Sequence, residues 1–199
     1  MRVISGTARG RPLRAALHTR PTADLIKGAI FSILEALAYK RGFEPDEEGN
    51  LAAALAWPRV LDLFAGSGGL GIDALSRGAQ SADFVEKDRD AARILQSNLR
   101  TTGLDERARV HQATVTAALR TLRTPVDLVF LDPPYADTAA LDEAILALAK
   151  PGLVLPASAV ILEQSAAAEP PEAIGPLPLT TTRRHGSTRI TLYTSAAAV

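Results

Sequence analysis

The apolar residues of this chain recur with two different periods, and segments of each kind alternate along most of the sequence. Between Leu25 and Leu37 the apolar residues have helical spacing, and Pro21, Thr22 and Asp24 are start signals, so the pattern predicts a helix. From residue 59 onward, short runs rich in Val, Ile, Leu and Phe alternate with helical stripes. The predicted strands are 60–64, 82–86, 109–111, 126–131 and 159–162, and the predicted helices are 70–76, 91–99, 115–122 and 141–148.

The two ends of the chain carry patterns of their own. Residues 2–14 place a glycine-containing run of small residues between two short apolar segments, which predicts a hairpin or an extended arm. The last thirty residues predict two strands that turn at Gly186. The whole pattern predicts an α/β fold in which a mainly parallel seven-stranded sheet carries helices on both faces. We expect three parts: a hairpin and helix appendage at 1–41, a linker loop at 42–56 and the main domain at 57–199.

The composition excludes several kinds of site. The chain has no cysteine, so disulfides and thiolate metal sites are impossible, and its three histidines are scattered along the sequence. We therefore expect no metal. No stretch of about eighteen apolar residues occurs, and the first residues do not have the pattern of a cleavable signal. We expect a cytoplasmic protein without a membrane partner.

The net charge is zero, but the charges are unevenly distributed. Residues 1–41 contain eight Lys and Arg residues and only two acidic residues, whereas the remainder contains fourteen basic and twenty acidic residues. A basic arm on an acidic body is typical of a protein that binds a polyanion through one region. A solvated, disordered start would have the same charge pattern.

A glycine-rich turn follows the first predicted strand. Gly66, Gly68 and Gly71 have the spacing G-x-G-x-x-G, and Glu86 follows Gly66 by twenty residues at the end of the next strand. This pattern fits a dinucleotide site, a site for another adenosine-containing ligand, or only a tight bend. S-adenosylmethionine is favoured because Asp62 can meet its ammonium group, the helix start can bind its carboxylate, and Glu86 can accept both ribose hydroxyls.

A second motif, Asp132-Pro133-Pro134-Tyr135, follows the fourth predicted strand. Ligands of open α/β sheets bind beyond the carboxyl ends of the strands, so this turn and the glycine turn are expected at one site. The prolines fix the backbone and donate no N–H, so the turn offers only acceptors to an amino group: the Asp132 carboxylate and a backbone carbonyl. Tyr135 offers a face for stacking by a base that has flipped out of its helix. An ordinary loop after a strand is the alternative.

Several segments resemble known methyltransferases. Residues 62–68 resemble motif I of the class I methyltransferases, and residues 86–88 resemble the acidic end of their second strand. Known sites with an acid, two prolines and an aromatic residue act on adenine N6, cytosine N4 or guanine N2, and the motif does not choose among them. The choice comes from further segments, which closely resemble the RsmD family of bacterial 16S rRNA guanine-N2 methyltransferases: 2–13, 19–24, 31–34, 62–71, 74–79 and 84–88.

The resemblance implies a Rossmann-like class I methyltransferase fold, S-adenosyl-L-methionine as cofactor, and a guanine of 16S rRNA in the assembling or assembled small subunit as substrate. We expect a monomer. The implied catalytic residues are Asp132, Pro133, Pro134 and Tyr135. The implied cofactor-binding residues are Asp62, Ala65, Gly66, Ser67, Gly68, Glu86, Lys87 and Thr114. The candidates for RNA contacts are Arg9, Arg11, Arg14, Arg20, Thr22 and Lys27.

The chain departs from the family pattern at two places. Thr114 stands where the family usually has an acid that meets the adenine amine of the cofactor, so a charge-assisted hydrogen bond is lost there. The segment 44–55 is longer than the usual connection. Two other functions stay open: methylation of amino groups in DNA or another RNA, including adenine N6, and a non-catalytic nucleic-acid-binding role for the same fold.

Overall fold

The structure is a computed structural model, which describes residues 1–15 and 24–195. Within these residues, no helix is long and apolar enough to cross a membrane. The helices are α1 (Asp24–Lys40), α2 (Ala52–Ala56), α3 (Gly69–Ser76), α4 (Arg89–Thr102), α5 (Val115–Leu119) and α6 (Thr138–Leu148). The strands are β1 (Arg59–Leu63), β2 (Ser81–Glu86), β3 (Ala108–Gln112), β4 (Val126–Leu131), β5 (Val154–Ser165), β6 (Ala173–Ile174), β7 (Leu177–His185) and β8 (Thr188–Thr194).

The strands of the described residues form one mixed sheet in the order β3-β2-β1-β4-β5-β8-β7-β6. Strands β1 to β5 pair in parallel, and β8, β7 and β6 add in antiparallel fashion. The predicted α/β fold with a largely parallel sheet is therefore confirmed, as is the terminal hairpin that turns at Gly186. The expected number of seven strands is wrong by one, because the two-residue strand β6 is too short to produce an alternating pattern.

Helices cover both faces of the sheet because alternate strand residues point to opposite sides. On β4, Leu128 and Phe130 belong to the apolar cluster that includes side chains of α1, α3 and α4. Their neighbours Val129 and Leu131 belong to the cluster that includes side chains of α5 and α6. Burial on both faces explains why β4 is a nearly continuous apolar run in the sequence.

Residues 1–15 form a hairpin that packs against α3. The Val3 N–H donates to the carbonyl of Arg11 at 3.0 Å, and the Thr7 N–H donates to the carbonyl of Ser76 at 2.7 Å. Gly6 has φ +78°, and a Cβ at this position would overlap the Ser76 backbone, so only glycine fits there. Val3 is fully buried in the same cluster as α1 and α3. The alternative of a disordered start is therefore wrong for these residues.

The segment 42–56 is not simply a loop, because it contains α2. The helix consists of alanine and leucine, which have high helix propensity, and Ala52, Ala53 and Ala54 are buried. The Ala53 N–H donates to the Glu35 carboxylate of α1 at 3.1 Å. A helix of five residues is too short for a periodic apolar stripe, so the prediction of an irregular linker missed it.

Candidate active site

The candidate site lies at the carboxyl edge of the parallel strands. In the sheet, Leu63 of β1 pairs with Leu131 of β4, which pairs with Leu162 of β5. The residues that follow these three open onto a cleft of about 960 Å³. Its walls include the apolar side chains of Phe64, Val85, Ile94, Ala113 and Val115.

Most of the predicted site residues line this one cleft. They are Ala65, Gly66, Ser67, Glu86, Lys87, Thr114, Asp132, Pro133, Pro134 and Tyr135. Asp62 and Gly68 are not among the lining residues: Asp62 is buried near the end of β1, and Gly68 lies within the glycine turn at the start of α3. The two motifs that sequence reasoning expected at one site are thus adjacent across a common cavity.

The glycine turn is tight and bends with unusual backbone angles. Phe64 has φ +63°, which is rare for a residue with a side chain, and Gly68 has φ +89° at the start of α3. The Gly68 N–H donates to the carbonyl of Ala65 at 2.8 Å. The positive φ at Gly68 is the reason that this position favours glycine, and a Cβ there would also displace the end of the Leu95 side chain. The turn therefore presents backbone without bulky side chains to the cleft.

Asp62 is a buried carboxylate that holds the first turn of α3. Its Oδ2 accepts a hydrogen bond from the Gly71 N–H at 2.8 Å. The pKa of Asp62 is raised from 3.8 to about 7, mainly by burial; the Gly71 hydrogen bond opposes the rise, and the negative charges of Asp132 and Glu86 add to it. The raised pKa means that the buried surroundings of Asp62 stabilise its negative charge poorly.

Glu86 connects the end of β2 to the glycine turn. Its Oε2 accepts from the Gly66 N–H at 2.7 Å, and its Oε1 accepts from the Asp88 N–H at 2.7 Å. Both carboxylate oxygens are therefore oriented by backbone groups, and each keeps a lone pair for a ligand hydroxyl. Asp88 in turn accepts from the Ala91 N–H at 2.7 Å and begins α4.

Lys87 and Thr114 occupy the rim of the cleft. The Lys87 ammonium donates to Asp137 at 3.1 Å and thereby joins the end of β2 to the start of α6. This hydrogen bond is the main reason that the pKa of Asp137 is lowered. The Thr114 hydroxyl accepts from the Ala117 N–H at 3.3 Å and caps α5. Thr114 therefore has a structural role at the place where the family pattern has an acid.

The acid-Pro-Pro-Tyr turn leads directly into α6. Pro133 is buried and Pro134 is exposed, and the carbonyl of Pro134 accepts from the Asp137 N–H at 2.8 Å. The Tyr135 hydroxyl is 2.9 Å from the Thr188 hydroxyl and donates to Glu163 at 3.3 Å. These contacts tie the tip of the tyrosine to β5 and β8 and fix the position of its ring in the cleft.

Two residues of the site were missed by sequence reasoning. Glu163 of β5 lines the cleft and is 4% exposed. Asn98 of α4 is buried, and its amide donates to the carbonyls of Ser67 and Arg14, each at 2.9 Å, while its Oδ1 accepts from the Arg14 N–H at 3.0 Å. The available signal for Asn98 was a polar residue within the apolar stripe of its helix.

The predicted RNA-contacting residues have different environments. Arg9, Arg11 and Arg14 are exposed on the hairpin, although the Arg11 guanidinium also donates to the carbonyl of Thr101 at 2.7 Å. Lys27 is fully buried, and its ammonium donates to Asp73 of α3 at 2.6 Å and to the carbonyl of Arg2. The prediction that Lys27 contacts RNA phosphates is therefore wrong, because a partner from another helix holds it inside the protein. Arg20 and Thr22 lie outside the described residues.

Comparison with known proteins gives a family for this arrangement. The family described as Conserved hypothetical protein 95 matches residues 1–194. Over 199 residues the chain is 36% identical to "Putative rRNA methyltransferase YlbH" of Bacillus subtilis, covering 97% of this chain and 98% of that protein. Over 137 residues it is 34% identical to "Ribosomal RNA small subunit methyltransferase D" of Escherichia coli, covering 68% of this chain and 60% of that protein. The chain belongs to the RsmD family.

Solved structures agree with the RsmD assignment. A structure titled "Putative methyltransferase yhhF from Escherichia coli" superposes with a TM-score of 0.78 at 28% identity, covering 99% of this chain and 98% of that chain. A hypothetical protein from Thermus thermophilus superposes with a TM-score of 0.76 at 32% identity, covering 98% of this chain and 99% of that chain. The RsmD-family chain therefore has the α/β methyltransferase fold across the residues that the structure describes.

Proposed function

We propose that this protein transfers a methyl group from S-adenosylmethionine to the exocyclic N2 amino group of a guanine in 16S rRNA of the small ribosomal subunit. One observation carries the proposal: the glycine turn and the acid-Pro-Pro-Tyr turn line a single cleft. Its volume of about 960 Å³ is at the upper end of the usual range for ligand pockets, which suits a cofactor together with a base. Membership of the RsmD family and the names of its relatives support rRNA as the substrate.

The residues around the glycine turn fit the cofactor. Apolar walls formed by Val85, Ile94 and Ala113 suit an adenine ring, and the oriented Glu86 carboxylate suits the two ribose hydroxyls. The excess of carboxylates in the site favours a ligand that carries positive charge. Bound S-adenosylmethionine supplies a methyl group on a positively charged sulfur. Asp62 contributes to this attraction from beneath the turn and reaches the ligand ammonium directly or through water.

The acid-Pro-Pro-Tyr turn binds and orients the amino group that receives the methyl. The Asp132 carboxylate and the Pro133 carbonyl accept the two N–H groups of guanine N2, and neither proline offers a competing donor. These hydrogen bonds draw the nitrogen lone pair out of conjugation with the ring and direct it toward the methyl carbon. As the N–C bond forms, the bond from the methyl carbon to the donor sulfur breaks and the sulfur leaves as a neutral thioether; the nitrogen loses a proton, for which Asp132 is the nearby acceptor. Positioning and electrostatics supply most of the rate.

The hairpin supplies the contacts to the RNA backbone. Arg9, Arg11 and Arg14 are exposed, and Met1 and Ala15 at the two ends of this hairpin line the cleft. Phosphate contacts from these arginines hold the RNA beside the cleft without selecting its sequence. The target guanine then flips out of its stack into the cleft and rests against Tyr135.

Nucleoside mass spectrometry of small-subunit rRNA tests the proposal. Cells that lack the gene should lose one N2-methylguanosine from 16S rRNA, and the intact gene should restore it. A gene with Asp132→Ala should not restore it, although the purified variant should still bind labelled S-adenosylmethionine. The matched control is Asp127→Ala, because Asp127 lies on the same strand at the opposite edge of the sheet, where it pairs with Arg59 at 3.2 Å.

Three results would overturn the proposal or part of it. Unchanged N2-methylguanosine in the deletion strain would contradict guanine as the target. Methylation of DNA and not of ribosomal particles in a parallel assay would indicate a DNA methyltransferase. Failure of the intact protein to bind labelled S-adenosylmethionine would indicate a non-catalytic nucleic-acid-binding protein.

A further inference from the structure

Glu163 is a second carboxylate beside the acid-Pro-Pro-Tyr turn, although it belongs to neither sequence motif. Leu131 of β4 pairs in parallel with Leu162 of β5, so Asp132 and Glu163 are the next residues of two neighbouring strands. Adjacent strands lie roughly 4.8 Å apart. Both residues line the cleft, and Glu163 is 4% exposed. The two carboxylates thus stand side by side where the target base enters.

The position of the Glu163 carboxylate is fixed by its neighbours. The Tyr135 hydroxyl donates to Glu163 Oε1 at 3.3 Å and is itself held by the Thr188 hydroxyl at 2.9 Å. Thr188 is almost completely buried on β8. A buried carboxylate that is oriented in this way presents hydrogen-bond acceptors at a defined place, which is the condition for reading the edge of a base.

Guanine differs from the other amino-bearing bases in the group next to its amino group. In guanine, the N2 amino group lies beside N1–H, which is a second donor. In adenine and cytosine, the ring nitrogen beside the amino group is an acceptor. Two adjacent carboxylates can therefore receive both donors of guanine, whereas the second carboxylate repels the acceptor of adenine or cytosine.

We propose that Glu163 determines the choice of guanine by accepting a hydrogen bond from N1–H of the base whose N2 amino group is bound by Asp132. The proposal rests on the proposed function and adds the group that selects the base. Asp132 orients the N2 nitrogen that is methylated, and Glu163 accepts a hydrogen bond from the neighbouring N1–H. Tyr135 contributes its ring to stacking and its hydroxyl to the orientation of Glu163.

The test uses 2-aminopurine, which keeps the amino group of guanine but has an acceptor at N1. Small-subunit particles are reconstituted with either guanine or 2-aminopurine at the modified position found by mass spectrometry, and kcat/KM is measured with labelled S-adenosylmethionine. The intact enzyme should prefer guanine by about 10- to 100-fold, the usual range for one good base contact. In Glu163→Gln the amide can donate as well as accept, so this preference should shrink to a few-fold.

Tyr135→Phe is the comparison variant, because it removes the hydroxyl that orients Glu163 and leaves the carboxylate in place. Its preference for guanine should be smaller than that of the intact enzyme and larger than that of Glu163→Gln. Equal rates of the intact enzyme on the two bases would overturn the proposal, as would an unchanged preference in Glu163→Gln. If the intact enzyme methylates no guanine at all, the proposed function itself fails, and the two failures are thereby distinguished.

Discussion

Replacing Asp62 with Asn should change the free energy of unfolding in a way that depends on pH. In the absence of cofactor, the stability of the variant relative to the intact protein should increase as the pH rises from acid to neutral. The new amide side chain in Asp62→Asn still has an oxygen that can accept from the Gly71 N–H, the bond that Asp62 Oδ2 makes at 2.8 Å. What the substitution removes is a buried negative charge near Asp132 and Glu86. Any cost of burying the new amide NH₂ is the same at every pH, so the pH dependence isolates the effect of the charge.

The size of the effect follows from the pKa of Asp62. This pKa is raised from 3.8 in the unfolded chain to about 7 in the folded protein, a difference of about three units. At 1.36 kcal/mol per unit, the difference amounts to about 4 kcal/mol. Between about pH 4 and pH 7 the folded state keeps a proton that the unfolded state has released, so the free energy of unfolding falls as the pH rises. Of the total, about 3 kcal/mol falls between pH 5 and pH 8.

Urea unfolding of the intact protein and of Asp62→Asn at several pH values between 5 and 8 measures this difference. The variant should gain about 3 kcal/mol relative to the intact protein over that range, with the gain ending near pH 7. Other titrating groups cancel because they are present in both proteins. A difference between the two proteins that does not change with pH would refute the raised pKa.

The same substitution should have the opposite effect on cofactor binding. If Asp62 attracts the ammonium of S-adenosylmethionine, binding favours the charged carboxylate, and the affinity of the intact protein should increase as the pH rises toward 7. In Asp62→Asn the affinity should be lower and should lack this dependence. Calorimetry in buffers of different ionisation enthalpy measures the released proton. An equal pH dependence in both proteins would remove Asp62 from the cofactor site.

Two further predictions concern the hairpin and the buried pair beneath it. Lys27→Met leaves Asp73 buried without the partner that now lies at 2.6 Å, so it should lower the free energy of unfolding by about 3–5 kcal/mol, measured by denaturant unfolding. The control is Lys40→Met at the exposed end of the same helix, which should change the free energy of unfolding by less than about 0.5 kcal/mol. Equal effects of the two substitutions would contradict the importance of the pair. A variant with both Arg9→Ala and Arg11→Ala should bind RNA more weakly, and the slope of log K against log salt concentration should decrease by about one per lost phosphate contact. The control is Arg123→Ala at the opposite edge of the sheet, which should change neither the affinity nor the slope. An unchanged slope would remove the hairpin from the RNA interface.

The sequence predicts a residue's environment well where neighbours along the chain determine it, and poorly where residues distant in the sequence determine it. Strand β4 was predicted at 126–131, and the structure has it at Val126–Leu131, because burial on both faces leaves an apolar run bounded by turns. Strand β5 was predicted at 159–162 but runs from Val154 to Ser165. Its extension pairs with the antiparallel strand β8 and carries polar residues, which no apolar run reveals. Glu163 lies in that extension and was missed for this reason.

Lys27 shows the same limit for charged residues. Residues 1–41 as a whole contain eight Lys and Arg residues against two acidic residues, and a lysine on such a segment is usually solvated. Its partner Asp73 is 46 residues away on α3, and the pair becomes visible only when α1 and α3 are packed together. Local charge therefore predicted the arginines of the hairpin as exposed and failed for a lysine that the fold encloses.

Asn98 shows how a residue outside the motifs can hold together two segments of the site, the N-terminal hairpin and the glycine turn. Its Oδ1 accepts from the Arg14 N–H and its Nδ2 donates to the Arg14 carbonyl, the same pair of bonds that a β-strand backbone would form. The Nδ2 also donates to the carbonyl of Ser67 in the glycine turn. One buried side chain therefore joins the hairpin that carries the arginines to the turn that lines the cofactor side of the cleft. A motif identifies residues that touch a ligand through their type and spacing. The joint between two such segments depends on a contact across 84 residues, and its only trace in the sequence is a polar residue in an apolar stripe.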